Sequence, residues 1–219
     1  MKNKLLLLCL IFFTSMSYGQ GINQGLRVSS DPALIRSLSS AGEEITGNPF
    51  LFDDWKNVTI IFTDGSFQNM QADIKYNLIA HEILVKINGQ DGVFREDIKE
   101  FILKEGEKIH VYRKGFTGSG LRNNAFVEVL ADGSIIFLKQ TEKIIIESKG
   151  YNTAGVEKKV GESIRYYFVK DGVVKEIKLN EKAIFEYLNS PEAEAYVKAN
   201  KLNLKKESDV ASLLRNVIK

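Results

Sequence analysis

The sequence predicts a mainly β chain, α+β overall: an antiparallel β-sandwich or roll of about ten strands with a C-terminal helical cap. Three observations carry this expectation. Apolar residues alternate with period two over residues 49–179, as half-buried strands require. The dipeptides Asp64-Gly65, Asn88-Gly89, Asp91-Gly92, Asp132-Gly133 and Asp171-Gly172 punctuate that pattern, and each suits a tight hairpin because glycine reaches positive φ without a Cβ clash. No helical pattern of crossover length separates the strands, so their connections read as antiparallel.

The chain begins MKNKLLLLCLIFFTSMSYGQG. Lys2 and Lys4 form a basic start, Leu5 to Phe13 a short apolar run, and Ser17 and Gly19 the small residues of a cleavage site, so residues 1–19 read as a signal peptide. The run is well short of the ~20 apolar residues of a membrane span. The single cysteine, Cys9, lies inside it after Leu8, which argues against lipid attachment. A chain starting at Gln20 would hold no cysteine, and so no disulfide, thiolate metal site or cysteine nucleophile. Of the 219 residues, 30 are Lys or Arg and 28 Asp or Glu, so without Lys2 and Lys4 the formal charges balance. No basic run suits a phosphate backbone, and nucleic acid is not an expected partner.

Residues 20–48 read as a polar leader or lightly docked arm, in which Asp31-Pro32 can open one short helix carrying Leu34, Ile35 and Leu38 on a face. Residues 49–179 read as the β-domain. Its first strand carries Val58, Ile60 and Phe62 on one face. A second sets Met70, Ala72, Ile74, Tyr76 and Leu78 against Gln71, Asp73, Lys75 and Asn77. Further strands read at 98–104, 107–113, 124–131, 134–139, 142–148, 163–170 and 173–179. Several of them, AFVEVLA, SIIFLK, KIIIES and IRYYFV, are apolar on both faces, as covered central strands are. Residues 180–219 form the helical segment. Asn180 caps EKAIFEYL, Ser190-Pro191 opens a second helix, and Ser208 caps a third. On the third, Val210, Leu213, Leu214, Val217 and Ile218 fall at i, i+3, i+4, i+7 and i+8. Such a stripe packs on the chain's own sheet or forms an interaction face for a partner.

Candidate chemistry is sparse. His81-Glu82 resembles the start of a zinc-protease helix, but Val85 stands where the second histidine belongs, and the stretch alternates like a strand. His110 also reads as a strand residue, with Tyr112 on its face. Residues 115–122, GFTGSGLR, lack the Lys and Ser or Thr of a phosphate-binding loop and read as a hairpin loop. Asp53-Asp54 beside Trp55 reads as a polar rim before the first strand. No catalytic residue, cofactor or metal site is legible.

From GNPFLFDDW through the strand ending in Asp64-Gly65, the Tyr76-Asn77-Leu78 step and the tail KANKLNLKKESDVASLLRNVI, the chain resembles an exported β-rich protein family of Bacteroidota. That resemblance implies a Gram-negative periplasmic setting, with β-region and tail as one unit, and brings no activity with it. The expectation is an exported, non-enzymatic binding or envelope-associated interaction protein of the periplasm or outer-membrane periphery, with no transmembrane span and with an envelope protein or apolar ligand as partner. One alternative is a carrier of a lipid or other apolar ligand. Another is a periplasmic hydrolase whose site assembles only in three dimensions.

Overall fold

The computed structural model describes residues 28–29, 45–63, 71–87, 90–94, 97–118, 120–122, 124–149 and 156–217. The expected signal peptide, the helix at Asp31-Pro32, the turns at Asp64-Gly65 and Asn88-Gly89, and Ile218 lie outside the described residues.

The strands are β1 (Val28–Ser29), β2 (Ile45–Thr46), β3 (Lys56–Phe62), β4 (Gln71–Asn77), β5 (Glu82–Ile87), β6 (Gln90–Phe94), β7 (Ile98–Glu105), β8 (Lys108–Arg113), β9 (Val127–Ala131), β10 (Ile136–Lys149), β11 (Val156–Lys170) and β12 (Val173–Ile177). They form one twelve-stranded sheet in the order β1-β6-β5-β4-β3-β7-β8-β9-β10-β11-β12, with β2 beside β11. Every pairing is antiparallel except β2 with β11. The segment before residue 49 thus contributes two short strands, one at each end of the sheet.

A continuous sheet matches the expected roll rather than two stacked layers. Strands sit about 4.8 Å apart, so three steps would place β3 and β6 roughly 14 Å apart on a flat sheet. Yet the rings of Phe62 and Phe94 lie 6.0 Å apart. Tyr76 of β4 meets Phe126, just before β9, at 5.5 Å. The N-terminal strands therefore curl around a common interior of Val58, Ile60, Ile74, Tyr76, Val85 and Phe101, all at most 2 % exposed. Among the described residues, which leave out Met70, the inward set is the one expected from alternation, with one change. Asn77 is buried, because its Oδ1 accepts the amides of Ile79 and Ala80 at 2.9 and 3.0 Å.

Two of the expected turn dipeptides show where the turn chemistry was readable and where it was not. Lys170 pairs with Val173 around Asp171 (φ 51°) and Gly172 (φ 76°), the two positive φ values of a type I′ turn. Asp91-Gly92, expected at a turn, lies inside β6, where Lys86 pairs with Asp91 and Val85 with Gly92.

Helices α1 (Glu181–Leu188), α2 (Pro191–Asn200) and α3 (Glu207–Val217) follow the sheet. Asn180 Oδ1 accepts the Ala183 amide at 2.9 Å and Ser190 Oγ the Ala193 amide at 3.2 Å, the expected caps. Ser208 is not the third cap. The helix already begins at Glu207, and the Ser208 hydroxyl donates to Asp209, whose other oxygen takes the Asn203 amide. The three helices cover one face of β9 to β12, closing a second core of Phe137, Phe168, Ile184, Leu204, Val210, Leu213 and Leu214. Among the described residues, no helix is long and apolar enough to cross a membrane.

Candidate functional site

His81 is not a strand residue. It ends the connection Leu78–His81 between β4 and β5 in the left-handed conformation, at φ 56°. The Asn77 side chain bends the chain there, and histidine is among the residues that tolerate this region. The bend aims the imidazole across the roll. Its Nδ1 lies 3.3 Å from the Tyr76 hydroxyl, and its Nε2 lies 3.1 Å from Arg122 Nη1.

Arg122 arrives on the glycine-rich connection between β8 and β9. Gly120 is needed at its position because its φ of 85° is a backbone conformation that side chains rarely adopt, and a Cβ there would also stand 3.2 Å from the end of the flexible Arg165 side chain. Leu121 anchors the loop in a third apolar cluster with Val127, Leu138 and Tyr167. Arg122 Nε then faces Glu142 Oε1 of β10 at 3.5 Å, while Arg165 of β11 bonds the other carboxylate oxygen. Gln140, 1 % exposed, donates to Glu142 at 3.2 Å and accepts the Tyr167 hydroxyl at 3.1 Å. One carboxylate thus gathers two guanidiniums and a buried amide. This polar chain fastens the β4–β5 turn and the glycine loop to the β10–β11 hairpin.

Arginine only donates, so its contact requires His81 Nε2 to be unprotonated and leaves the ring proton on Nδ1, facing Tyr76. Burial first, and then the Arg122 charge, hold the imidazole below its ordinary 6.5, against a smaller opposing pull from Glu142. The unfolded chain therefore takes up this proton before the folded one does. The resulting stabilisation is complete above the unfolded value and is lost as the pH falls from there through the folded value. In urea titrations, the folded chain is expected to weaken as the pH falls through and below 6.5, the ordinary value of the imidazole, and less so in His81→Asn. Asparagine suits the same φ and does not titrate in that range. Equal pH slopes in the two proteins would remove His81 as the source. Both ring nitrogens are engaged, which leaves no basic nitrogen for a substrate proton.

His110 lies on β8 with its Nδ1 2.6 Å from Glu128 Oε1 of β9. Behind this pair, Tyr166 donates to Glu207 at 2.7 Å and Lys139 faces the same carboxylate at 3.0 Å. Burial and the nearby carboxylates keep the Tyr112 and Tyr166 hydroxyls protonated far above neutrality. Glu128 is the one side chain bonded to His110 among the described residues, so the pair is a histidine held by a carboxylate without a serine or threonine nucleophile in contact. No group of three or more His, Cys, Asp or Glu side chains suited to a metal occurs among the described residues. Asp53 and Asp54 form the exposed rim expected, with Asp53 accepting from Asn48 at 2.6 Å.

The stripe on α3 is core. Val210 and Leu213 are 0 % exposed and Leu214 2 %, packed against β9 to β11, while Val217 is partly buried. The candidate interaction face of Val210, Leu213, Leu214 and Val217 is therefore turned inward.

The exposed apolar surface is elsewhere. The strands expected at 134–139 and 142–148 are one strand, because β10 and β11 pair without interruption from Ile136↔Val169 to Lys149↔Val156. The polar Gln140-Thr141 step, with neither glycine nor proline, does not break it. Beyond residue 143 the ribbon runs past the roll. Ile144, Ile145 and Ile146 are 47, 40 and 39 % exposed, so KIIIES is not the covered central strand its apolarity suggested. Among the described residues, no strand other than β11 pairs with β10 beyond Lys139, since β9 meets it only at Phe137–Lys139. Comparison with protein-family models, with curated proteins and with solved structures returned no match. The site must therefore be read from its own geometry. An open strand edge bearing apolar side chains on both faces offers backbone hydrogen bonds and dry contacts together, which is how one chain captures another by strand addition.

Proposed function

We propose that this protein is exported and serves as a non-enzymatic interaction protein of the cell envelope, docking through the β10–β11 ribbon. The observation that carries this reading is the exposure of Ile144, Ile145 and Ile146 on a strand whose outer edge is unpaired among the described residues. Monomeric proteins blunt such edges with charge, proline or covering loops. Export rests on the leader sequence and its cleavage pattern.

The carrier alternative expects a cavity between residues 124–148 and the last helix. Phe137, Ile135, Leu213 and Leu214 fill that space, and the recess at its rim, about 230 Å³, is small for an apolar ligand. The hydrolase alternative is favoured by one observation, the 2.6 Å contact of His110 with Glu128. His110→Ala would abolish any hydrolysis that used this pair.

The test is a photo-crosslinking amino acid at Ile144 or Ile146, with Ile109 on β8 as the exposed control, in cells that are then fractionated. Ribbon-specific adducts in the periplasmic or envelope fraction are expected. Adducts equal at Ile109, or a protein confined to the cytoplasm, would overturn the proposal.

A further inference from the structure

The open edge of the ribbon can be assigned one specific occupant, an assignment that rests on the ribbon being the docking surface. Ile144 and Ile146 share one face with Gly161, while Ile145 shares the other with Val160. Ile146 Cδ1 occupies the place that a Cβ at Gly161 would take, so Ile146 lies flat across the ribbon. A lipid surface or a docking helix would cover one face and leave the other wet. A strand added at the edge gives all three isoleucines a neighbour. The nearby charges do not favour an anionic membrane either, since Lys143, Lys158 and Lys159 are answered by Glu142, Glu147, Glu157 and Glu162. On the far side of the ribbon, β2 already pairs with β11 at Lys158 and Lys159, which among the described residues leaves β10 as the open edge.

The sequence of that edge, Lys143-Ile144-Ile145-Ile146-Glu147, complements itself when reversed. We propose that residues 143–147 of two copies pair as antiparallel strands about a two-fold axis at Ile145, joining two sheets edge to edge. In that register Lys143 stands opposite Glu147 of the other copy, twice, Ile144 opposite Ile146, twice, and Ile145 opposite itself. Opposite charges and β-branched pairs directly across an antiparallel ladder are the favourable combinations, and a two-fold contact requires such self-complementarity. A shift by one residue would set isoleucine against charge. Glu142, already held by Arg122 and Arg165, bounds the pairing at one end, and Lys143, whose ammonium also meets the Phe50 carbonyl and Glu162 of its own chain, is the last residue inside it. Glu147, with its side chain 61 % exposed beside Lys158, is accessible to the other copy.

Sedimentation of the full chain is expected to give a concentration-dependent dimer. Ile145→Lys should be monomeric with an unchanged far-ultraviolet spectrum. E147K, which sets lysine opposite Lys143, should weaken the dimer at least severalfold, and K143E/E147K should restore it. In a Cys9→Ser background, I145C should form a disulfide-linked dimer on mild oxidation, because only that position faces its own copy, and I109C should not. A wild-type chain that stays monomeric, with no I145C dimer, overturns self-pairing even if Ile145→Lys fails to fold. The ribbon reading then survives if crosslinkers at Ile144 or Ile146 still capture a different protein, and falls with it if they capture nothing.

Discussion

Deleting residues 207–219 is expected to unfold the protein rather than release a folded β-domain. The deletion removes Val210, Ala211, Leu213 and Leu214, all at most 4 % exposed, and uncovers Phe137 and Phe168 on the sheet. Each large side chain contributes about 1.5–3 kcal/mol on burial, so the loss approaches the ~5–15 kcal/mol that holds a domain of this kind together. Glu207 goes as well, and with it the acceptor of the Tyr166 hydroxyl and the partner of Lys139. Leu213→Ala isolates the apolar part. Leu213 is fully buried among Phe137, Phe168 and Ile184, and its truncation should cost about 2–5 kcal/mol in urea titrations. A truncated chain with a wild-type midpoint would show that the helix merely rests on the sheet.

Phe101→Ala is expected to have the second-largest effect, in the other core. Phe101 is 0 % exposed, stacked on Tyr112 at 4.8 Å and wedged against Phe126 at 5.1 Å and Tyr76 at 6.2 Å. These rings come from β7, β8, the approach to β9, and β4, so the side chain is the hub on which the sheet curls. Truncation leaves a cavity that four strands cannot all close, at a cost of about 3–5 kcal/mol. Tyr76→Phe provides the contrast. It keeps the ring and removes only the hydroxyl, which accepts the Phe126 amide at 3.2 Å and faces His81 Nδ1 at 3.3 Å, and the buried amide left without its acceptor costs about 1–3 kcal/mol. Burial is the main cause of that hydroxyl being pushed up to about 12, so it stays protonated through the physiological range. Equal losses in the two variants would mean that the hydrogen bond, and not ring packing, sets the curl.

The residues that were legible from sequence are those whose role is settled within a few positions of the chain. Asp171-Gly172 turns because its own backbone needs positive φ twice, and Asn180 and Ser190 cap because the amides they satisfy lie three residues on. The alternation in β3 and β4 correctly set Val58, Ile60, Ile74 and Tyr76 inward. The same local logic misplaced His81, since alternation carries no sign that Asn77 folds back on the amides of Ile79 and Ala80. The cluster of Arg122, Glu142 and Arg165 left almost no trace in the sequence, because its members lie on three separate segments and meet only when the sheet curls. The glycine spacing of residues 115–122 was its one visible signal, and it marks how closely that loop approaches Arg165.

By itself, the sequence determined the strand periods, the turns at Asp132-Gly133 and Asp171-Gly172, the three C-terminal helices and two of their caps, because these depend on bond rotation and near-neighbour hydrogen bonds. Tertiary structure alone decided which apolar residues are covered. The α3 stripe and the Lys143–Glu147 stretch are both strongly apolar, yet the first is core and the second an open edge. Apolarity measures the gain from being covered. What does the covering depends on which distant strands pair, and that is decided only when the whole sheet has formed.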